Sequence, residues 1–371
     1  MSKKFAPHRA DIVGSFLRPE KLKQARAAFS KQEITAEDLK DVEDLLIRDL
    51  IQKQKAHGLK VITDGEFRRA YWHLDFMWGL NGVEHIELQH GYKFHGEETA
   101  KGSIKLTGKI SGENHPFVEH FKFVKQFETP DVVARQTIPA PAQFLAELFR
   151  GDNLINTRSV YPDINELEHD IAKAYQTVIK DLSKAGCKNI QFDDCTWGMI
   201  IDPNYCKSKF SQGFIFKTEA ERFLRLNNMA LSERPDDVTI TTHTCRGNYH
   251  STYASTGPYD NVAQYVFAKE NVDALYLEFD DERSGSFEPL KEVSSDKDVV
   301  LGLITTKSPV LEDKETIKKR IEQASQIIPL DRLFLSPQCG FASCEIGNKL
   351  SEDEQWAKID LVQEIAKEVW G

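Results

Sequence analysis

The 371-residue chain has no C-x-x-C pair, no extended basic tract, no internal repeat and no linker rich in Pro, Gly and Ser. It also has no run approaching the ~18 apolar residues that a membrane span requires. Each absence removes a class of function. Without C-x-x-C, a compact structural zinc knot is disfavoured. A net charge of −10 with no basic tract argues against nucleic acid or an anionic membrane surface as partner. Met1 to Ala10 lacks the apolar stretch of a signal peptide, so the expected compartment is the cytoplasm. There, six cysteines (Cys187, Cys195, Cys206, Cys245, Cys339 and Cys344) read as thiols or ligands rather than a disulfide framework. With no linker to divide it, residues 1–371 read as a single domain.

What is present is a rhythm of short apolar runs separated by helical patterns. The runs are Asp11 to Gly14, Lys60 to Thr63, Val132 to Ile138, Asn189 to Asp193, Val238 to Thr242, Ala274 to Glu278, Val299 to Thr305 and Arg332 to Leu335. Eight such runs close a parallel barrel, so the expected fold is α/β, a (β/α)8 TIM barrel. A helix is expected over Ala36 to His57, with Leu39, Val42, Leu45, Leu46 and Leu50 on its apolar face. Thr35 with Asp38 starts it as a capping box and Gly58 stops it. Asp163 to Ala185 repeats the pattern, and a last helix runs from Ser351, paired with Glu354, to Trp370. Between Tyr71 and Lys125 the rhythm breaks. GYKFHGEE and GSIKLTGKISG alternate apolar and polar residues around glycines, which predicts a β-hairpin inserted between strands 2 and 3 and laid over one end of the barrel.

Four residues at or just past the ends of these runs can bind zinc: His243 and Cys245 in THTC, Glu278 in LYLEF and Cys339 in SPQCG. His243 and Cys245 are two apart, so in an extended segment both side chains leave one face. Two thiolates, an imidazole and a carboxylate suit zinc, and their origin in three separate segments suggests chemistry rather than a structural knot. Simpler readings exist for each. Glu278 could be solvated in the following loop, Asp193 and Asp194 could cap a helix, and Glu66 could pair with Arg68 or Arg69. Cys187, Cys206 and Cys344 read as structural or surface thiols. Ser15, Asp64 to Glu66, Asp193, Asp194 and the four ligand candidates all fall at the strand ends where barrels carry active sites.

In this order the motifs resemble cobalamin-independent methionine synthase, specifically its C-terminal catalytic barrel and the short stand-alone relatives. The resemblance spans essentially the whole chain. It rests on VGSF (Val13 to Phe16), DGEF (Asp64 to Phe67), IQFDD (Ile190 to Asp194), THTC (Thr242 to Cys245), LYLEF with the following ERSGS, and SPQCG (Ser336 to Gly340). It implies that His243, Cys245, Glu278 and Cys339 hold a catalytic Zn2+. It implies too that Ser15, Glu66 and Asp193, with the Val13, Gly14 and Ser15 backbone, hold the amino acid part of homocysteine. The chemistry is consistent: carboxylates suit the ammonium, and a Gly-Ser turn offers donors to the carboxylate.

The implied reaction is methyl transfer to the thiolate of homocysteine, giving methionine, from 5-methyltetrahydrofolate in polyglutamate form. Two cysteinate ligands leave a bound substrate sulfur electron-rich enough to attack a methyl group, and Glu278, the hardest ligand, is the one expected to loosen. Three departures bear on the donor. The chain lacks the N-terminal barrel of the long enzymes, reads IPAPAQFLAEL over Ile138 to Leu148 where they place a Trp, and has Lys307 where they have a catalytic histidine. A corrinoid or S-methyl sulfonium donor, or another thiol, is the alternative within enzymes. Outside them, the alternative is a thiol-binding protein with structural zinc. Lys307 is the candidate catalytic residue, as a proton source or an anion partner. The expected partners are homocysteine and the methyl donor, with no nucleic acid, no membrane and at most another copy of the chain.

Overall fold

A computed structural model describes residues 5–210 and 213–371. Its strands are β1 (Val61–Ile62), β2 (Asn81–Glu87), β3 (Gly102–Ser111), β4 (Val133–Ala134), β5 (Gln136–Pro139), β6 (Asn189–Asp194), β7 (Thr239–Thr244), β8 (Ala274–Glu278), β9 (Asp298–Ile304) and β10 (Leu333–Pro337). From β5 to β10 each strand pairs in parallel with the next, and β4 pairs in parallel with β1. Ala10 bridges Leu335, which places the N-terminal segment beside β10. The remaining seam, between residues 9–14 and β1, is crossed by the Thr63 hydroxyl donating to the Gly14 carbonyl and the Phe16 N–H donating to the Gly65 carbonyl. The result is a (β/α)8 barrel. Helices such as Ile164–Lys184, Phe216–Leu231 and Glu352–Trp370 pack their apolar faces around it. Among the described residues no helix is long and apolar enough to cross a membrane.

Capping follows the chemistry of the sequence. Thr35 with Asp38 and Ser351 with Glu354 form reciprocal capping boxes at the starts of Ala36–Ala56 and Glu352–Trp370. Other expectations are corrected. Asp11 to Gly14 does not form a strand, because the carbonyls of Ile12 and Val13 are taken by the side chains of Arg135 and Gln191 instead of a neighbouring backbone. Val132 to Ile138 divides at Arg135, into a part that pairs with β1 and a part that pairs with β6. The buried face of Ala36–Ala56 is Glu43, Ile47, Leu50, Ile51 and Gln54, while Leu45 is 42% exposed. That face is rotated because Glu43 is drawn inward by Arg26 and Arg68.

The hairpin is present but placed differently from the expectation. Its antiparallel ladder is β2 with β3, and GYKFHGEE lies in the connection, not in a strand. The ladder packs beside the barrel, where Asn156 bonds both backbone groups of Leu106 and the Tyr161 hydroxyl accepts from the Ile110 N–H. Only the connection over residues 88–101 reaches across the mouth. There the His95 N–H donates to the Tyr253 carbonyl, the Thr252 hydroxyl donates to the His95 carbonyl, and Glu97 meets His250 and Lys349.

Inside the barrel, away from the mouth, Asp11 and Arg135 form an ion pair of 2.9 Å with both side chains fully buried. Arg135 also donates to the Tyr276 hydroxyl at 2.7 Å and to Asn189 at 3.2 Å, and Tyr276 donates to Asp11 at 3.0 Å. Burial alone would push the Asp11 carboxyl up, but Arg135 holds it below its ordinary value. Because the folded value is depressed, the pair's contribution is complete above the unfolded aspartate pKa of about 3.9 and is lost as pH falls through the folded value. Breaking a buried pair from one side typically costs about 3–5 kcal/mol. Arg135→Met should therefore unfold at a clearly lower denaturant concentration at pH 7. A variant with the parental midpoint would show the pair to be dispensable.

Candidate functional site

At the C-terminal ends of the strands three potential ligands meet. One ligand atom from each of His243, Cys245 and Cys339 lies within 4.8 Å of the others, and all three residues are buried. His243 is in β7, Cys245 follows it by two residues, and Cys339 follows β10. Glu278 ends β8 and is fully buried, with Oε1 at 3.8 Å from His243 Nε2. The solvated reading of Glu278 is thereby excluded. Its Oε1 accepts from the Arg246 N–H at 3.1 Å, while Oε2 has no hydrogen-bond partner among the described residues. An orphaned buried carboxylate oxygen beside two thiols and an imidazole is what a divalent metal would satisfy. The donor set therefore fits zinc.

The electrostatics of the cluster agree. Burial opposes charge on His243, yet Asp193, which meets Nδ1 at 2.8 Å, raises its pKa to about 10. The other nitrogen, Nε2, meets the Gln338 carbonyl at 2.8 Å, so the ring is held as a doubly donating imidazolium. Cys195 pushes the Cys245 thiol well above its ordinary value, Cys339 pulls it down, and burial adds to the rise. The Cys339 thiol is pushed up by its contact with Cys245 and by burial. Burial pushes the Glu278 carboxyl up, and Lys307 is the cation that most offsets it.

Lys307 does not sit in solvent. Its side chain is 10% exposed, its ammonium lies 3.7 Å from Asp280, and it meets no hydrogen-bond acceptor among the described residues. Burial opposes its charge, but Asp280 and Glu278 keep its pKa above the ordinary lysine value.

The other expected site residues lie around the same mouth. Glu66 is a non-glycine residue at φ +63°, a conformation that concentrates at functional sites. Its Oε1 meets Arg69 at 3.2 Å and accepts from the Thr137 hydroxyl at 2.9 Å, so its pairing with Arg69 is real. Its Oε2 is buried without a partner among the described residues, and burial pushes the carboxyl up. Arg68 pairs with Glu43 and Asp44 instead. Asp194, one residue before the cap of the following helix, accepts from the Thr196 N–H that opens it at 2.8 Å, whereas Asp193 reaches His243. The Ser15 hydroxyl accepts from the Ala342 N–H at 3.3 Å. Gly340 lets it approach: a Cβ there would stand 1.9 Å from Ser15 Oγ. The carbonyls of Val13 and Gly14 are engaged by Gln191 and Thr63.

Sequence reasoning passed over two residues here. Cys195 interacts with Cys245 beside the cluster, and the only signal for it was its place directly after Asp193 and Asp194. His73 lines the same cavity, and no motif pointed to it. That cavity, about 240 Å3, opens over Asp193, Cys195 and Cys245 and is walled by Tyr71, Trp72, Tyr92 and Phe94. A second cavity of about 380 Å3 adjoins it through Tyr92, Gln143, Met199 and Tyr205.

Comparison with known proteins follows the same lines. Residues 9–367 match the family described as cobalamin-independent synthase, catalytic domain. The uncharacterized protein YxjG of Bacillus subtilis (strain 168) is 43% identical over 371 residues, covering 100% of this chain and 97% of that one. The methionine synthase of Saccharolobus solfataricus is 24% identical over 337 residues, 89% of this chain and 86% of its own. The crystal structure of the putative vitamin-B12 independent methionine synthase from Listeria monocytogenes superposes with a TM-score of 0.77 at 38% identity, covering both chains completely.

One measurement examines the cluster directly. Because His243 stays protonated up to a pH of about 10 and both thiols are raised, zinc uptake at pH 8 must expel a ring proton and two thiol protons. Calorimetry in buffers of different ionisation enthalpy should therefore count about three protons released per zinc. Zinc binding without proton release would place the metal elsewhere.

Proposed function

Since the chain belongs to the family of cobalamin-independent methionine synthase catalytic domains, we propose that it is a zinc-dependent S-methyltransferase that makes methionine from homocysteine. We read the chain as one catalytic domain at work in the cytoplasm. The observation that carries the reading is the buried Glu278 oxygen, without a partner among the described residues, beside His243, Cys245 and Cys339, next to a cavity lined by Cys245 and Asp193.

Zinc held by His243, Cys245, Glu278 and Cys339 would keep a substrate thiol as thiolate at neutral pH, where a free thiol of pKa about 8.5 is mostly protonated. The remaining work falls to the chain. The free Glu66 oxygen and the Asp193 carboxylate, near enough to repel one another, would receive the ammonium of homocysteine. The Ser15 hydroxyl, already accepting from Ala342, has its own hydrogen left to donate to the substrate carboxylate, together with backbone N–H groups of the Val13 to Ser15 turn. Asp193 has a second task, because its hydrogen bond to His243 Nδ1 sets the ring so that Nε2 faces Glu278. Lys307, whose ammonium lies 3.7 Å from Asp280 and whose charge is favoured by Asp280 and Glu278, would offset the carboxylates of the site, and a proton it carries would be available to a leaving group. The methyl donor, a methyl-folate in this reading, would occupy the two joined cavities.

The decisive test is whether homocysteine adds one sulfur to the zinc shell, read by X-ray absorption. A shell indifferent to homocysteine would point to structural zinc. Cys339→Ser should lose most bound zinc and all turnover, and a fully loaded, active variant would refute the ligand assignment. Glu66→Gln should weaken homocysteine binding about tenfold, roughly 1.4 kcal/mol, with zinc content unchanged. Asp193→Asn should weaken both homocysteine and zinc, because it also supports His243. Parental homocysteine affinity in both variants would move the pocket elsewhere.

A further inference from the structure

His73 stands in the cavity wall with one ring nitrogen committed and the other free. The residue is 3% exposed. Its Nε2 meets the Tyr92 hydroxyl at 2.9 Å, and its Nδ1 is buried with no hydrogen-bond partner among the described residues. A buried orphan of this kind is costly unless something else satisfies it. The ring lies against Trp72, with centroids 4.5 Å apart, and lines the same cavity as Asp193 and Cys245.

The hydrogen-bond chain behind His73 decides which nitrogen carries the proton. Tyr92 meets Glu147 through its hydroxyl. Glu147 also accepts from the Ser103 hydroxyl and from Arg150 at 3.1 Å, and the Ser103 oxygen is itself occupied by the Asn153 amide at 2.8 Å. Ser103 and Arg150 both donate to Glu147, and Arg150 offsets the burial that pushes its carboxyl up, so Glu147 reads as a carboxylate on which Tyr92 spends its single hydrogen. The Tyr92 oxygen must then accept from His73, which puts the ring proton on Nε2. Nδ1 is left as a bare lone pair. Burial and Arg150 lower the His73 pKa to about 3, in keeping with a neutral ring.

Resting on the reading that this cavity holds the methyl donor, we propose that His73 is a specificity-determining residue whose bare Nδ1 accepts a hydrogen bond from an N–H edge of a nitrogen heterocycle, and that Tyr92 is the positioning residue that sets this tautomer. A sulfonium donor or a corrinoid presents no such edge beside its methyl group, so the chemistry favours a reduced pteridine. Tyr92 belongs to the connection between β2 and β3, clamped by the Arg150 guanidinium 3.6 Å over its ring and by Arg150 donating to the His90 carbonyl. Docking of this segment over the mouth and preparation of the acceptor are therefore one event.

The experiment uses the zinc-loaded protein, with tetrahydrofolate as the probe and homocysteine as the internal control. Nitrogen-15 NMR of labelled histidine should show His73 with Nδ1 unprotonated and Nε2 protonated, and Tyr92→Phe should abolish that preference. His73→Phe, which keeps the ring and removes the acceptor, should raise the tetrahydrofolate Kd about tenfold while homocysteine affinity and zinc content stay parental. Should His73→Phe fail to fold, Tyr92→Phe carries the binding arm with the same expected weakening. Parental tetrahydrofolate affinity in the folded variant, or a proton on Nδ1 in the parent, overturns the inference. A parent that binds homocysteine but no tetrahydrofolate overturns it too, and leaves the thiol half of the proposed function standing. Failure to bind homocysteine would instead count against that earlier reading.

Discussion

Asp193 and His243 are register partners across the parallel ladder of β6 and β7, and the chemistry of the mouth depends on the hydrogen bond between them. Parallel register brings strand ends to one level, so residues remote in sequence are held at contact distance by backbone alone. Glu278 sits opposite Gly302 on β9, and Ser336 of β10 sits opposite the same glycine. A Cβ at Gly302 would stand 2.7 Å from the Gln338 Cα, so glycine at this point lets the segment carrying Cys339 close over the barrel. Once the ends meet, two thiols and several carboxylates share a space largely closed to water. Buried anions of this density persist only with compensating cations. His243, Lys307 and Arg69 provide part of that compensation, and the orphaned oxygen of Glu278 indicates where more is needed.

The insertion changes what the barrel can do. Barrel mouths are built from loops, and here a two-stranded ladder anchored on outer helices carries one of them, residues 88–101, across the opening. Its polar contacts lie mostly at the surface, Glu97 with His250 and Lys349 and His95 with Tyr253, while the Phe94 ring packs on Tyr249. Such polar contacts are individually weak, so the segment is held less firmly than the strands beneath it. Tyr92, half-buried between His73 and Glu147, holds the segment more firmly, and it does so next to the cavity.

Much of the fold was legible because barrels repeat. Apolar runs at regular spacing, capping pairs such as Thr35 with Asp38, and glycine stops are local signals that the structure preserves. Register and face were less legible. Leu45 fits the apolar pattern of its helix yet faces solvent, because the buried position is occupied by Glu43 through its pairing with Arg26 and Arg68, a contact between distant segments. Asp11 to Gly14 has strand composition, but side chains from Arg135 and Gln191 take its carbonyls. Asp193 and Asp194 show the same limit at the site. Adjacent and chemically alike, they point to opposite faces of a strand, so one accepts from the N–H that opens a helix and the other supports His243.

By itself the sequence determined the residue types and their order: which positions can bind a soft metal, where strands end, and that three segments must converge if they act together. Those properties are local, set by side-chain chemistry and periodicity. Only the tertiary structure decided that the Lys307 ammonium is buried near Asp280 instead of solvated, that Cys195 lies beside Cys245, and that His73, in the wall of the same cavity, has a ring nitrogen without a partner among the described residues. Each of these depends on which groups from other segments compete for the same hydrogen bond or charge. That competition is settled by packing in three dimensions and leaves no periodic trace along the chain.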